Sequence, residues 1–191
     1  MYDSAALTSD RARSHHQRKA AMFSAFTKRL PQISIFHHPS SPPSLKALAL
    51  LQSSLSSPYP PNKPDAPPLE FDLDVVESTP PTPDQLRIIL SYLTPKQSTS
   101  VPVGSQYSST FLSSHPSAPG ASEQPQSAVG VANLVSQNPN AFKWPVVVDW
   151  NGGKASVGDV EGVKNILESI RQRRDGEVQG EDVHQPKGWF S

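Results

Sequence analysis

The placement of 21 prolines decides how much of this 191-residue chain can be regular structure. Proline has no N–H to donate and is confined to element ends, edges and loops. The chain is therefore cut into a few proline-free windows, with proline-rich stretches between them. Hydrophobic residues make up only 35%, below the usual globular share. The two observations together predict a small packed core carrying long disordered Pro/Ser-rich insertions. Ser56 to Pro68 reads as a proline-rich loop with little to pack, and Pro95 to Pro125 as a disordered insertion.

Within the windows, hydrophobic periodicity names the elements. Residues 32–37 alternate around Ile33, Ile35 and Phe36 and predict a first strand, which Pro39 ends. Ser41 precedes Pro42 and Pro43, the arrangement of a helix N-terminus. Leu45, Leu48, Leu51 and Leu55 give that helix an apolar stripe. Residues 69–77 set Leu69, Phe71, Leu73 and Val75 against Glu70, Asp72 and Asp74, a strand with one wet face. Thr82, Pro83 and Gln85 form a capping box for a helix whose apolar face is Leu86, Ile89, Leu90 and Leu93. A short helix is expected over 127–136 through Val129, Ala132, Leu134 and Val135. Residues 143–157 read as two strands around Asn151-Gly152, which suits the positive φ values of a tight turn. Asp159 can cap a last helix carrying Val163, Ile166, Leu167 and Ile170.

The resulting order is β-α-loop-β-α-loop-(α)-β-β-α. An early parallel pair joined by a helix and a late antiparallel hairpin give a mixed four-stranded sheet flanked by helices. That is an α/β, thioredoxin-like plan, spanning 32–173 with loops at 56–68 and 95–125. Residues 174–191 form a polar tail. Residues 1–31 form a basic leader, in which Arg11, Arg13, Arg18, Lys19, Lys28 and Arg29 outnumber Asp3 and Asp10. Phe23, Phe26 and Leu30 would share one face of a short helix there. A basic, Ser-rich, amphipathic leader is the pattern of a mitochondrial transit peptide, and a solvated basic tail is the alternative. Met1 and Met22 are both possible starts.

Composition removes several function classes. Formal net charge is zero, so nothing favours nucleic acid. No apolar run approaches the roughly 20 residues that span a bilayer. There is no cysteine, hence no disulfide, no Cys-zinc site and no thiolate. The histidines show no zinc spacing, and no cofactor is expected.

Three stretches resemble known proteins. "ISIFHHPSSPPSLKALALL", residues 33–51, resembles the first strand, active-site turn and helix of the arsenate-reductase and Spx group. "VVESTPPTPDQLRIILSYL" resembles that group's Pro-Pro-Thr helix start, and "KWPVVVDWNGGKASVGDVEGVKNIL" its closing strand, hairpin and helix. The last stretch is also similar to a fungal mitochondrial family of redox proteins that share a "VDW" segment before an Asn-Gly turn. The resemblance implies a thioredoxin-like fold and an oxidoreductase in mitochondria. By the same resemblance Ser41 occupies the reactive-cysteine position, and Trp144 precedes Pro145 where arsenate reductases carry an arginine. Some members of the fungal family use a cysteine ahead of the "VDW" strand, and residues 127–140 here have none.

The candidate binding groove is Ser40, Ser41, Trp144 and Pro145, with a peptide or a small thiol such as glutathione as ligand. Ser40 and Ser41 would lie at a helix N-terminus, which favours anions, although simple hydroxyl capping also explains them. A cysteine placed at 41 is then expected to be acidified below the ordinary value of about 8.5. A cis bond at Trp144-Pro145 would fit the aromatic residue before the proline. His37 and His38 should point to opposite faces; one could serve Ser41 as a base for hydrolysis, but no orienting carboxylate is evident. Asp149 is expected to brace the hairpin and Trp150 to cover the open end of the core.

Overall fold

The computed structural model describes residues 30–94, 102–116, 118–120 and 123–177. The predicted basic leader up to residue 29 and most of the polar tail lie outside the described residues. The elements are β1 (Gln32–His37), α1 (Pro42–Ser56), β2 (Asp72–Glu77), α2 (Pro83–Leu93), α3 (Val103–Phe111), α4 (Ala128–Gln137), a 3-10 turn (Pro139–Ala141), β3 (Val146–Asp149), β4 (Lys154–Val157) and α5 (Val160–Arg174).

The strands form one sheet in the order β2-β1-β3-β4. β1 runs parallel to β2, with Ile33 opposite Leu73, and antiparallel to β3, with Ile33 opposite Asp149. β3 and β4 form the antiparallel hairpin. This is the mixed four-stranded, thioredoxin-like sheet that the order of elements predicts. Both faces are covered. Phe36, Val146 and Val148 face α2, α3 and α4, and Ile33, Ile35 and Val147 face α1 and α5. The two central strands are buried on both sides, so β1 is buried continuously from Ile33 to His37, its polar Ser34 and His37 included.

Local chemistry explains the helix starts. Thr82 Oγ1 accepts from Gln85 N at 3.3 Å and Gln85 Oε1 accepts from Thr82 N at 2.8 Å, a complete capping box. Asp159 accepts from Glu161 N and Gly162 N and starts α5, whose Val163, Ile166, Leu167 and Ile170 are all buried. Ser127 caps α4 through Gly130 N.

Several expectations are corrected. The segment 95–125, expected to be a disordered insertion, contains α3. Tyr107 and Phe111, with Leu112 just beyond the helix, are buried in the core. The loop 56–68 does pack: Tyr59 is buried, and Arg174 donates to Tyr59 O at 3.0 Å and to Pro67 O at 2.6 Å. Arg174, assigned to the tail, is the last residue of α5. On α1 the buried line is Ser44, Ala47, Leu51 and Ser54, while Leu45 is exposed. The helix has turned so that small residues meet the sheet closely and Leu48 and Leu55 pack at its flanks. On α4 the core takes Val131 and Val135, and Val129 faces water. β2 begins only at Asp72, and Val75 is exposed on the sheet's edge strand.

The hairpin turn also differs from the sequence expectation. Within Trp150–Gly153 only Gly153 has positive φ, at 60°. Gly152 is required for space instead, since a Cβ there would meet Asp149 Oδ2 at 2.1 Å. Asn151 Oδ1 accepts from Gln32 N at 2.6 Å, which ties the turn to β1.

At the end of α5, Arg171 gathers three carboxylates: Glu168 at 2.8 Å, Asp175 at 2.7 Å and Glu177 at 2.5 Å. Hydrogen bonds from Arg174 and then Arg171 hold Asp175 down at about 2, and those from Arg171 lower Glu168 and Glu177. Folded pKa values below the unfolded ones stabilise the fold above the unfolded range. That contribution should drain away as pH falls from about 4 toward 2. Urea midpoints measured across this range are expected to fall with pH, and Arg171→Met to flatten the fall. An equal slope in the variant would show that these carboxylates are not held by Arg171.

Candidate functional site

The β1–α1 turn, His38 to Ser41, meets the segment ahead of β3 at an open cavity of about 590 Å³. Ser40, Ser41 and Trp144 line it, as does His38. Pro145 is buried and is not among the lining residues. The Trp144-Pro145 bond, whose isomer the sequence leaves open, is cis. His37 and His38 part as predicted. His37 ends β1 buried, and its Nδ1 has no hydrogen-bond partner among the described residues. His38 turns into the cavity, its ring 5.5 Å from that of Trp144.

Ser41 stands at the N-cap of α1 but does not cap it with its side chain. The reason is in the three residues that follow. A capping oxygen accepts from the second or third helical N–H. Here the second residue is Pro43, which has none, and Ser44 N already donates to Ser41 O at 3.0 Å. Leu45 N also donates to Ser41 O, at 3.1 Å. The first turn of α1 therefore presents no free N–H, and the expected anion site at this helix end is missing its donors. Ser41 Oγ instead donates to Trp144 O at 3.5 Å, a long bond across the cavity floor. The capping expectation for this hydroxyl is thus overturned, together with the anion expectation.

The imidazole near these serines belongs to Ser40. Its Oγ lies 2.7 Å from His38 Nδ1, and no carboxylate among the described residues orients His38 from the other side. Ser41 has no base, which removes the hydrolytic arrangement considered for it.

Sequence reasoning missed the far wall. Ser113, His115, Asn140, Lys143 and Gly158 also line the cavity. The segment after α3 reaches it by pairing with the backbone ahead of Trp144: Lys143 N donates to Phe111 O and Ser113 N to Ala141 O, both at 2.8 Å. A run of aromatic contacts backs this wall, from Tyr107 through Phe111 and Phe142 to Trp144. No local signal marks residues 113–115, which sit in a Ser/Pro-rich stretch. Lys143 adjoins Trp144, and only the fold shows where its side chain goes.

Asp149 and Trp150 have the structural roles expected. Asp149 is fully buried and its Oδ1 accepts from Gly152 N at 2.7 Å. Trp150 packs on the core and its indole N–H donates to Ser34 Oγ at 2.9 Å. Among the described residues no cluster of three or more His, Asp or Glu could hold a metal ion. No helix among them is long and apolar enough to cross a membrane.

A family model described as "Protein of unknown function (DUF1687)" matches residues 23–158. No curated protein sequence matches the chain. Among solved structures, an arsenate reductase from Vibrio cholerae aligns with 73% of this chain and 98% of its own, at 14% sequence identity and a TM-score of 0.42.

Proposed function

We propose, for a chain that belongs to the DUF1687 family of proteins of unknown function, a binding role on a redox-type scaffold without thiol catalysis. The ligand site is the cavity between the β1–α1 turn and the segment ahead of β3. The observation that carries this reading is the state of position 41. The residue facing Trp144 there is a serine without a base, at a helix end whose N–H groups are all used or absent. Thiol–disulfide exchange needs a thiolate and a means of stabilising it. This chain has no cysteine, and the turn lacks the donors that would acidify one. A peptide or a small molecule can still be held by the hydroxyls, imidazoles and aromatic wall of the cavity. Delivery to mitochondria is part of the proposal and is supported by the basic, acid-poor composition of residues 1–31.

The test joins two measurements. In an insulin-reduction assay with dithiothreitol, the protein is expected to give no turnover above the protein-free blank. In a Ser41→Cys variant, the thiol is expected to titrate at or above about 8.5, since no amide hydrogen bond awaits its anion. Turnover in the first assay would overturn the non-catalytic reading. A thiol titrating well below that value would restore a redox-type turn at this position.

A further inference from the structure

The cavity carries a positive charge that has no acidic partner among the described residues. Lys143 is half-buried, and its Nζ donates to Ser109 O at 2.6 Å, a carbonyl of the last turn of α3. No carboxylate lies within 4 Å of it among the described residues. Removal from water lowers its pKa, and no counter-charge among the described residues offsets that cost. A second cavity of about 370 Å³ adjoins the first, sharing Lys143, His115, Ser113 and Ser114. Among the described residues no aspartate or glutamate lines either one. The ammonium rests on Ser109, which lines the second cavity, while the Lys143 stem runs beside Gly158 of the first. A half-buried ammonium with no acidic neighbour among the described residues is an unusual arrangement, because buried charges are ordinarily paired.

The other wall is apolar and flat-sided. Phe142 and Trp144 meet edge to face at 4.8 Å, and the His38 ring lies against Trp144. A cavity of about 590 Å³ is of the size that holds small organic ligands. A bare inorganic oxyanion would fill only a small part of it. We infer that the cavity takes a small organic anion, with a flat apolar body on the Trp144–His38 wall and a carboxylate or phosphate head on Lys143. The inference rests on the binding role proposed above and names the ligand class of that site. Serine hydroxyls among the lining residues can complete the hydrogen bonding of such a head.

Phenyl phosphate and phenylacetate serve as anionic probes, benzyl alcohol as the neutral counterpart and inorganic phosphate as the bare ion. Binding is followed by calorimetry and by the NMR shifts of the Gly158 amide and the Trp144 indole N–H. At least one aromatic anion is expected to move both signals and to bind about tenfold or more tighter than benzyl alcohol, the scale of one charge-assisted hydrogen bond. Lys143→Met should remove that advantage, and Lys143→Arg, which keeps the charge, should retain most of it. Equal binding of benzyl alcohol, an unaffected Lys143→Met variant, or inorganic phosphate binding as tightly as the aromatic anions would each overturn the inference. If Lys143→Met does not fold, the comparison of anionic with neutral probes on the unaltered chain decides alone. Binding of the neutral probe only would sink the anion assignment and leave the binding role standing, whereas insulin turnover would remove the role itself.

Discussion

Phe111→Ala is expected to lower the free energy of unfolding by about 3–5 kcal/mol, the range for truncating a fully buried aromatic side chain. Phe111 is fully buried, with Tyr107 at 6.3 Å on one side and Phe142 at 6.1 Å on the other. The substitution leaves a cavity between α3 and the segment before β3, where the surrounding rings can close in only partly. Chemical denaturation with an unchanged denaturant slope is the measurement. A loss below about 1 kcal/mol, the scale of a surface change, would show that α3 is not part of the core. The effect should also reach the site, because Phe142 packs on Trp144 and Trp144 on His38. α3 is thus expected to support the cavity wall as well as the fold.

The second large effect concerns a buried charge. Arg173 donates to Asp149 Oδ2 at 2.5 Å, and Asp149 is fully buried while Arg173 is 30% exposed. Arg173→Met would leave the carboxylate at the sheet's end with only the Gly152 N–H. Orphaning a buried charge costs about 3–5 kcal/mol, and the partial exposure of Arg173 places this case near the lower figure. Adding Asp149→Asn to Arg173→Met should recover part of the loss, since a neutral amide needs no counter-charge. A double-mutant cycle by urea denaturation measures the coupling. A single-variant loss below about 1 kcal/mol would mean that water screens the pair as it does at a surface.

What could be read early and what could not divides by the range of the interactions. The capping box of Thr82 and Gln85 involves residues three apart, and it is present as expected. The Asp159 cap and the apolar face of α5 are equally local. The turn chemistry was only half legible. Gly152 and Gly153 are both needed, one for space against Asp149 and one for positive φ, but their separate reasons depend on where Asp149 and Arg173 lie. The leucine stripe of α1 misleads because its leucines are the larger residues, whereas the close approach to the sheet selects Ala47 and two serines beside Leu51. α3 is hidden in the sequence because serine, glycine and glutamine make up most of it, and only Tyr107, Phe111 and the Leu112 that follows supply its packing.

Residue order alone thus determined the four strands and most of the helices, since periodicity and caps are properties of neighbouring residues. Tertiary structure alone decided the site. Ser41 and Trp144 are 103 residues apart, and their bond exists only because β1 and β3 are neighbours in the sheet. Two prolines and a backbone bond took the capping role from Ser41, and an insertion that reads as loose brought His115 to the same cavity as Lys143. Local pattern carries no information about which surfaces the chain brings together, because that depends on burying both faces of the sheet at once.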